Sequence, residues 1–205
     1  PNAKEKLHVL RALLESMADM RYPQDKLQVL LLVEHWDTET QRMLGLADGT
    51  AEGERIALPA CATALVTIPG APGTKPSACD FGLARARGEY TLIFDSEDSP
   101  DPWMLLKAVR DFRTAPPQVA CLQARLLFWN ILAGKLRSRA DWMAAIVTRM
   151  YFVEYAVHFE FVLRGMARLG LVPPLGGTSN IFITEVLREI AIPEDELVRG
   201  GIPRD

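Results

Sequence analysis

The sequence lacks the features that mark several large classes of protein. Its 205 residues include 23 basic and 26 acidic residues, for a net charge of −3, so there is no surplus of positive charge to favour nucleic acid as a partner. No apolar run approaches the ~18–20 residues that a membrane-spanning helix needs, and no signal peptide is visible. We therefore expect this stretch of chain to be soluble, or peripheral to a membrane.

Histidine and cysteine are also scarce. The three histidines are scattered along the chain, which gives little support to a histidine metal site or a Ser-His-Asp triad. The three cysteines, Cys61, Cys79 and Cys121, do not have the spacing of metal ligands. We expect them to be buried free thiols in a reducing compartment. Cys79 has no evident partner base and is therefore a poor candidate for a nucleophile.

Short apolar segments alternate with amphipathic ones along the first two thirds of the chain. We predict helices at 4–21, 38–47, 77–87 and 102–113, and strands at 27–33, 64–68, 90–94 and 119–122. Such alternation predicts an α/β domain with a mostly parallel sheet flanked by helices. The strand at 27–33 is almost continuously apolar, as a strand covered on both faces would be.

The C-terminal part of the chain has a different composition. Residues 126–172 are helical in pattern and rich in aromatic residues, methionine and arginine. They form either a helical layer packed on the sheet or an amphipathic surface that meets a membrane. We accordingly divide the chain into an α/β part at 1–125 and a helical part at 126–205, where a glycine loop at 173–180 precedes a helix at 184–190.

An acid-rich turn follows the strand predicted at 90–94. It holds three acids, Asp95, Glu97 and Asp98. Open α/β sheets hold ligands at the carboxyl ends of their strands, and Mg²⁺ bound to a diphosphate takes one or two carboxylates. A solvated turn before a helix, with Asp101 as N-cap and Pro102 in the first helical position, is the alternative. The turn by itself does not decide between the two.

Two further loops are expected at the same end of the sheet. Glu34 and Asp37 follow the strand at 27–33, and Lys75 lies in a loop rich in glycine and proline that opens a helix. A lysine beside such a helix start suits a diphosphate. The loop is not a Walker motif, and no dinucleotide-binding glycine fingerprint follows the first strand. The three loops together favour a metal–diphosphate site.

Five stretches, in order, resemble the motifs of family 2 glycosyltransferases, and the third has the form found in cellulose-synthase-like members. They are Leu30-Leu-Leu-Val-Glu34-His-Trp-Asp37, Pro72-Gly-Thr-Lys75-Pro76, Phe94-Asp95-Ser-Glu97-Asp98-Ser-Pro-Asp-Pro, Cys121-Leu-Gln123-Ala-Arg125 and Pro174-Leu-Gly-Gly-Thr-Ser-Asn180. The resemblance covers residues from roughly 20 to 190. Five ordered motifs are much more specific than any one of them.

The resemblance implies a GT-A fold, which is Rossmann-like. It also implies an inverting, metal-dependent transfer of sugar from a nucleotide sugar, usually linked to UDP, to a saccharide acceptor. By position, Glu34 and Asp37 would contact uridine and Lys75 the diphosphate. Asp95 and Glu97 would hold Mg²⁺ or Mn²⁺, with Asp98 beside them. The resemblance also implies acceptor-side residues, namely Gln123, Arg125, Gly176, Gly177, Thr178, Ser179 and Asn180.

The sequence departs from the family at its C-terminal end. The family's T-E-D segment with the catalytic base, its Q-x-x-R-W motif and its membrane helices are not evident, so we interpret the chain as a truncated piece. Asp195 is a weak candidate for the base, and a polar tail created by truncation or frameshift is the alternative. Ile181 and Ile183 replace residues that are often polar in the family. The parent protein would be embedded in the bacterial inner membrane, with this part on its cytoplasmic face.

Three hypotheses for function follow. The first is a glycosyltransferase domain that builds or extends a polysaccharide. The second is a non-catalytic remnant that binds a nucleotide sugar without transferring it. The third is a nucleotidyltransferase, which would want a glycine-rich, basic phosphate loop directly after its first strand, and this sequence has none there.

Overall fold

The protein has a mixed α/β fold of helices and short strands. A computed structural model describes residues 3–47, 56–69, 73–126 and 139–191. The chain divides into two compact units. Unit 1 comprises Pro1–Leu122 and Ile181–Asp205, and unit 2 comprises Gln123–Asn180.

As far as β4, the described helices and strands follow one another in the alternating order that the sequence predicts. They are α1 (Ala3–Ala18), a 3₁₀ turn (Gln24–Lys26), β1 (Val29–Val33), α2 (Thr38–Met43), β2 (Ala62–Val66), α3 (Lys75–Leu83), β3 (Tyr90–Ile93), α4 (Met104–Thr114), β4 (Cys121–Gln123), α5 (Arg139–Val157), a π-helix (His158–Val162), α6 (Leu163–Arg168), β5 (Asn180–Ile183) and α7 (Thr184–Ile190).

The first sheet of unit 1 is the parallel pair β1–β2, in register from Val29 opposite Ala62 to Val33 opposite Val66. Two β1 side chains, Leu31 and Val33, are buried together with Leu14 of α1. The apolar face of α1 therefore covers β1, and each such fully buried aliphatic side chain contributes about 1.5–3 kcal/mol.

The second sheet has the strand order β3-β5-β4. Ile183 N–H donates to Ala120 O at 3.0 Å and Ala124 N–H donates to Ser179 O at 3.0 Å, so β5 runs antiparallel to β4. Strand β5 is not among the predicted elements, because its four residues fall between a glycine loop and a helix. Its isoleucines suit that strand, since Ile181 is buried.

Several helix boundaries differ from the predicted ones. Helix α4 begins at Met104 rather than Pro102, although Asp101 still caps the turn by accepting from Trp103 N–H at 2.9 Å. Helix α2 ends at Met43 instead of continuing to 47, because Gly45 adopts a left-handed conformation with φ of 69°. Helix α3 begins two residues early, at Lys75, with Thr74 as its N-cap.

Unit 2 is mainly a helical run in which α5, the π-helix and α6 follow without a break. Phe159 and Leu163 are buried, whereas Met150, Phe161 and other apolar side chains of the run are exposed. No helix in the described ranges is both long enough and apolar enough to cross a membrane.

Candidate functional site

A cavity of about 1370 Å³ lies in unit 1 and is lined by residues from both β1 and β3. Five of the candidate residues line it, and all belong to loops at strand ends or helix starts: Glu34, Asp37, Lys75, Asp95 and Glu97. The structure therefore brings together the three loops that the sequence places at one end of the sheet.

The loops also touch one another directly. Lys75 Nζ forms an ion pair with a carboxylate oxygen of Asp95, which joins the start of α3 to the turn after β3. Gly73 packs against the ring of Trp36, and a Cβ on Gly73 would lie 2.7 Å from the ring atom Cζ2. A side chain at this position would require the exposed ring of Trp36 to move, so the contact favours glycine here.

Thr67 holds the carboxylate of Glu34. Its hydroxyl donates to Glu34 Oε2 at 2.7 Å and accepts from the backbone N–H of His35 at 3.1 Å. The Thr67 side chain is buried. Thr67 falls within the strand predicted at 64–68, and its place directly after β2 is the only local feature that indicates this role.

Asp37 has a structural role in addition to its place beside the cavity. Its carboxylate is the N-cap of α2, accepting from Thr40 N–H at 3.2 Å and from Thr40 Oγ1 at 2.8 Å, and Lys6 Nζ lies 2.9 Å away. Partial burial raises the pKa of Asp37, but the hydrogen bonds from Lys6 and Thr40 outweigh it, so the pKa is lower than its ordinary value. Lys6, from α1, is a residue that the motifs do not reveal.

The acid-rich turn after β3 is built by its own carboxylates. Asp98 Oδ2 accepts from the backbone N–H of Asp95 at 2.8 Å, and Asp98 N–H donates to Asp95 O at 3.1 Å. Asp98 is not among the residues that line the cavity. Its carboxylate thus shapes the turn, which leaves Asp95 and Glu97 as the acids of this turn at the cavity wall.

The donor set at this turn suits a cation that is bound mainly through a ligand. In the part of the chain that the structure describes, His, Cys, Asp and Glu side chains do not gather in groups of three or more that could hold a metal ion. Mg²⁺ in nucleotide sites is usually held by one or two carboxylates together with phosphate oxygens and waters. Asp95 and Glu97 are the two carboxylates of this turn that line the cavity, and that of Asp95 is paired with Lys75.

The cysteines are free and half-buried rather than fully buried. Burial raises the pKa of the Cys79 thiol, which lines the cavity, and raises that of Cys121 to about 11. Both thiols are therefore protonated at neutral pH and unsuited to nucleophilic attack.

The residues that the resemblance places on the acceptor side lie in unit 2. Thr178, Ser179 and Asn180 are buried, and Asn180 Nδ2 donates to the backbone oxygen of Gly176. A Cβ on Gly176 would lie 2.6 Å from Nε2 of Gln123, so the loop passes closely over that amide.

Arg125 is also paired within unit 2. Its Nη1 lies 2.6 Å from Glu160 Oε1, and Arg164 Nη2 lies 3.0 Å from the other oxygen of the same carboxylate. Gly177 is described in the same loop as Gly176. Asp195, the weak candidate for the base, lies outside the described residues.

Comparison with known proteins adds no assignment. No protein-family model matches the chain, and no curated protein matches it.

Proposed function

We propose that this chain is part of a metal-dependent, inverting family 2 glycosyltransferase with a GT-A fold, and that the cavity of unit 1 binds the nucleotide-sugar donor. The observation that carries the proposal is the meeting of three loops at one cavity, which Glu34, Asp37, Lys75, Asp95 and Glu97 all line. The ordered motifs of the sequence support the same reading.

The proposed roles follow from the chemistry of each side chain. Lys75 can exchange the Asp95 carboxylate for a diphosphate oxygen, because both partners carry negative charge. Asp95 and Glu97 would hold Mg²⁺ or Mn²⁺, which supplies charge neutralisation for the departing diphosphate. Glu34 and Asp37 accept hydrogen bonds and would contact the uridine.

Turnover requires a further group. A base must remove the proton of the acceptor hydroxyl, and the candidate, Asp195, lies outside the described residues. A non-catalytic module that binds a nucleotide sugar without transferring it is therefore the second candidate function. For the parent protein, we propose a place at the cytoplasmic face of the bacterial inner membrane, with a saccharide acceptor bound beside Gln123, Arg125 and the loop at 176–180.

A calorimetric titration with UDP tests the donor site. We expect the wild-type chain to bind UDP in the presence of Mn²⁺ and to bind it much more weakly in EDTA. Asp95→Ala should weaken the metal-dependent binding by about tenfold or more, because it removes a carboxylate ligand. Asp111→Ala is the matched control, since Asp111 is an exposed acid of α4 that does not line the cavity.

Two results would contradict or narrow this proposal. Metal-dependent UDP binding that survives Asp95→Ala would overturn the assignment of the site. Binding of a UDP-sugar with neither sugar transfer nor donor hydrolysis would favour the non-catalytic module over the enzyme.

A further inference from the structure

Trp36 lies between two acids of the candidate site in the sequence, but the roles proposed above do not include it. Glu34 and Asp37 line the cavity of unit 1, whereas Trp36 is not among its lining residues. The indole is 53% exposed. Its contacts, rather than the cavity, therefore have to show what it does.

The turn that carries Trp36 is fixed by hydrogen bonds to its backbone. Asp37 N–H donates to Glu34 O at 2.9 Å. The side-chain amide of Gln41 donates to the carbonyl oxygens of Glu34 and His35, at 3.0 Å each. The indole also lies edge-on to the ring of His35, with ring centroids 4.6 Å apart. The position of the Trp36 ring is thus set by the turn after β1 and by α2.

The outer edge of the indole contacts the loop before α3. A Cβ on Gly73 would lie 2.7 Å from Cζ2 and 3.2 Å from Cζ3 of Trp36. These two atoms belong to the six-membered ring of the indole, at the end of the side chain that is farther from the backbone. A shorter side chain at position 36 would not reach the loop in this way.

Gly73 is followed directly by the groups that begin α3. Thr74 is the N-cap, and its hydroxyl accepts from Ser77 N–H at 3.4 Å. The carbonyl oxygen of Thr74 accepts from Ala78 N–H at 3.1 Å. Lys75 is the first residue of the helix. A displacement of Gly73 therefore reaches Lys75 within two residues of the chain.

We propose that Trp36 is a positioning residue of the donor site, which holds the start of α3 so that Lys75 meets the diphosphate. The inference rests on the proposed function, because it concerns how Lys75 binds phosphate. Charge-assisted hydrogen bonds to phosphate are short, about 2.7–2.9 Å, so a small displacement of the lysine weakens them. Trp36 thereby connects the turn that carries Glu34 and Asp37 to the helix that carries Lys75.

Amide hydrogen exchange of the unliganded chain tests the contact itself. Trp36→Ala should speed exchange at Ser77 and Ala78 by about fivefold or more, because both N–H groups depend on the N-cap at Thr74. Trp103→Ala is the matched control, since Trp103 is also 53% exposed and does not line the cavity. It should leave exchange at these two residues unchanged. Unchanged exchange in Trp36→Ala would overturn the proposal, whether or not the chain binds a nucleotide.

Calorimetric titrations in Mn²⁺ test the effect on the donor site. Trp36→Ala should bind UDP about fivefold or more weakly than wild type, whereas uridine, which lacks the phosphates, should bind equally to both. Trp103→Ala should bind UDP as wild type does. Equal weakening of UDP and uridine would overturn the proposal, because it would mean that Trp36 contacts the nucleoside or supports the whole cavity.

A double-mutant cycle tests whether Trp36 acts through Lys75. Lys75→Met removes the charge and keeps an unbranched side chain. Adding Trp36→Ala to Lys75→Met should then weaken UDP binding by less than about twofold. Two effects that multiply would overturn the proposal. If the wild-type chain binds no UDP, the proposed function fails and Trp36 has no role in it, while hydrogen exchange still decides whether Trp36 holds the start of α3.

Discussion

At the scale of single residues, three of the acids beside the cavity are each held by a partner from elsewhere in the chain. Thr67 holds Glu34, Lys6 holds Asp37 and Lys75 holds Asp95. These contacts set the positions of the carboxylates before any ligand arrives, which reduces the ordering that binding requires.

Thr67→Val removes the most buried of these partners. The substitution keeps the shape of the side chain, but it leaves the N–H of His35 without its acceptor and Glu34 without a donor. We expect the free energy of unfolding to fall by about 1–3 kcal/mol in urea denaturation. Thr63→Val in β2, the strand that Thr67 follows, is the control, because Thr63 is exposed and should tolerate the change. Equal effects at the two positions would contradict the role assigned to Thr67.

Asp37 makes stability depend on pH. Its pKa in the folded chain lies below its ordinary value of 3.8, so the ionised carboxylate stabilises the fold above that value. This contribution is lost as the pH falls through the lowered pKa, when the folded chain also takes up the proton. We expect wild type to lose stability on acidification below about pH 4 more steeply than Asp37→Asn, which retains an N-cap without a titrating group. Urea denaturation at neutral and acidic pH measures the difference, and parallel pH profiles would argue against it.

At the scale of elements, the helical run of unit 2 separates buried from exposed apolar residues within a single turn. Phe159 of the π-helix is 9% exposed, whereas Phe161 is 73% exposed. Phe159 lies edge-on to His158, with ring centroids 5.6 Å apart, and near Tyr155, with ring centroids 6.0 Å apart. The helical run therefore packs through the face that carries Phe159, while Phe161 lies on an exposed face.

Alanine substitution at the two phenylalanines tests this asymmetry. Phe159→Ala should cost about 3 kcal/mol, because it removes a buried ring and leaves a cavity. Phe161→Ala should change the free energy of unfolding by no more than about 0.5 kcal/mol, since little of its surface is withdrawn from water. Thermal or urea unfolding followed by far-ultraviolet circular dichroism compares the two variants. A larger loss from Phe161→Ala would mean that its exposed face is covered in solution.

Two elements, α4 and β5, show why the sequence pattern does not predict every boundary of a helix or strand. The sequence predicts that helix α4 starts at Pro102, but Asp101 caps a turn first and the helix begins at Met104. Strand β5 is short and follows a glycine loop, so its pairing with β3 and β4 is what makes it a strand. Local propensity is too weak to specify such a segment without its neighbours.

At the scale of the whole molecule, the candidate groups fall into two units. The loops around Glu34, Lys75 and Asp95 belong to unit 1, and Gln123, Arg125 and the loop at 176–180 belong to unit 2. All the residues proposed to bind the nucleotide sugar lie in unit 1, so the titration with UDP tests that unit by itself.

The sequence by itself determines the alternation of helices and strands, the apolar character of β1 and the placing of acids directly after strands. These features are local, since the apolar run of a strand and the turn that ends it lie within a few residues of each other in the sequence. The acid cluster at Asp95, Glu97 and Asp98 and the loop with Lys75 are visible in this way.

Only the tertiary structure decides which strands pair and what each carboxylate does. Lys6 meets Asp37 across 31 residues, and Thr67 meets Glu34 across 33. Asp98 shapes its own turn, while Asp95 takes Lys75 as its partner. Such contacts depend on packing between distant segments, and no local pattern encodes them. The split between the two sheets, with β1 and β3 bordering one cavity, is decided at the same level because it depends on which edges remain after pairing.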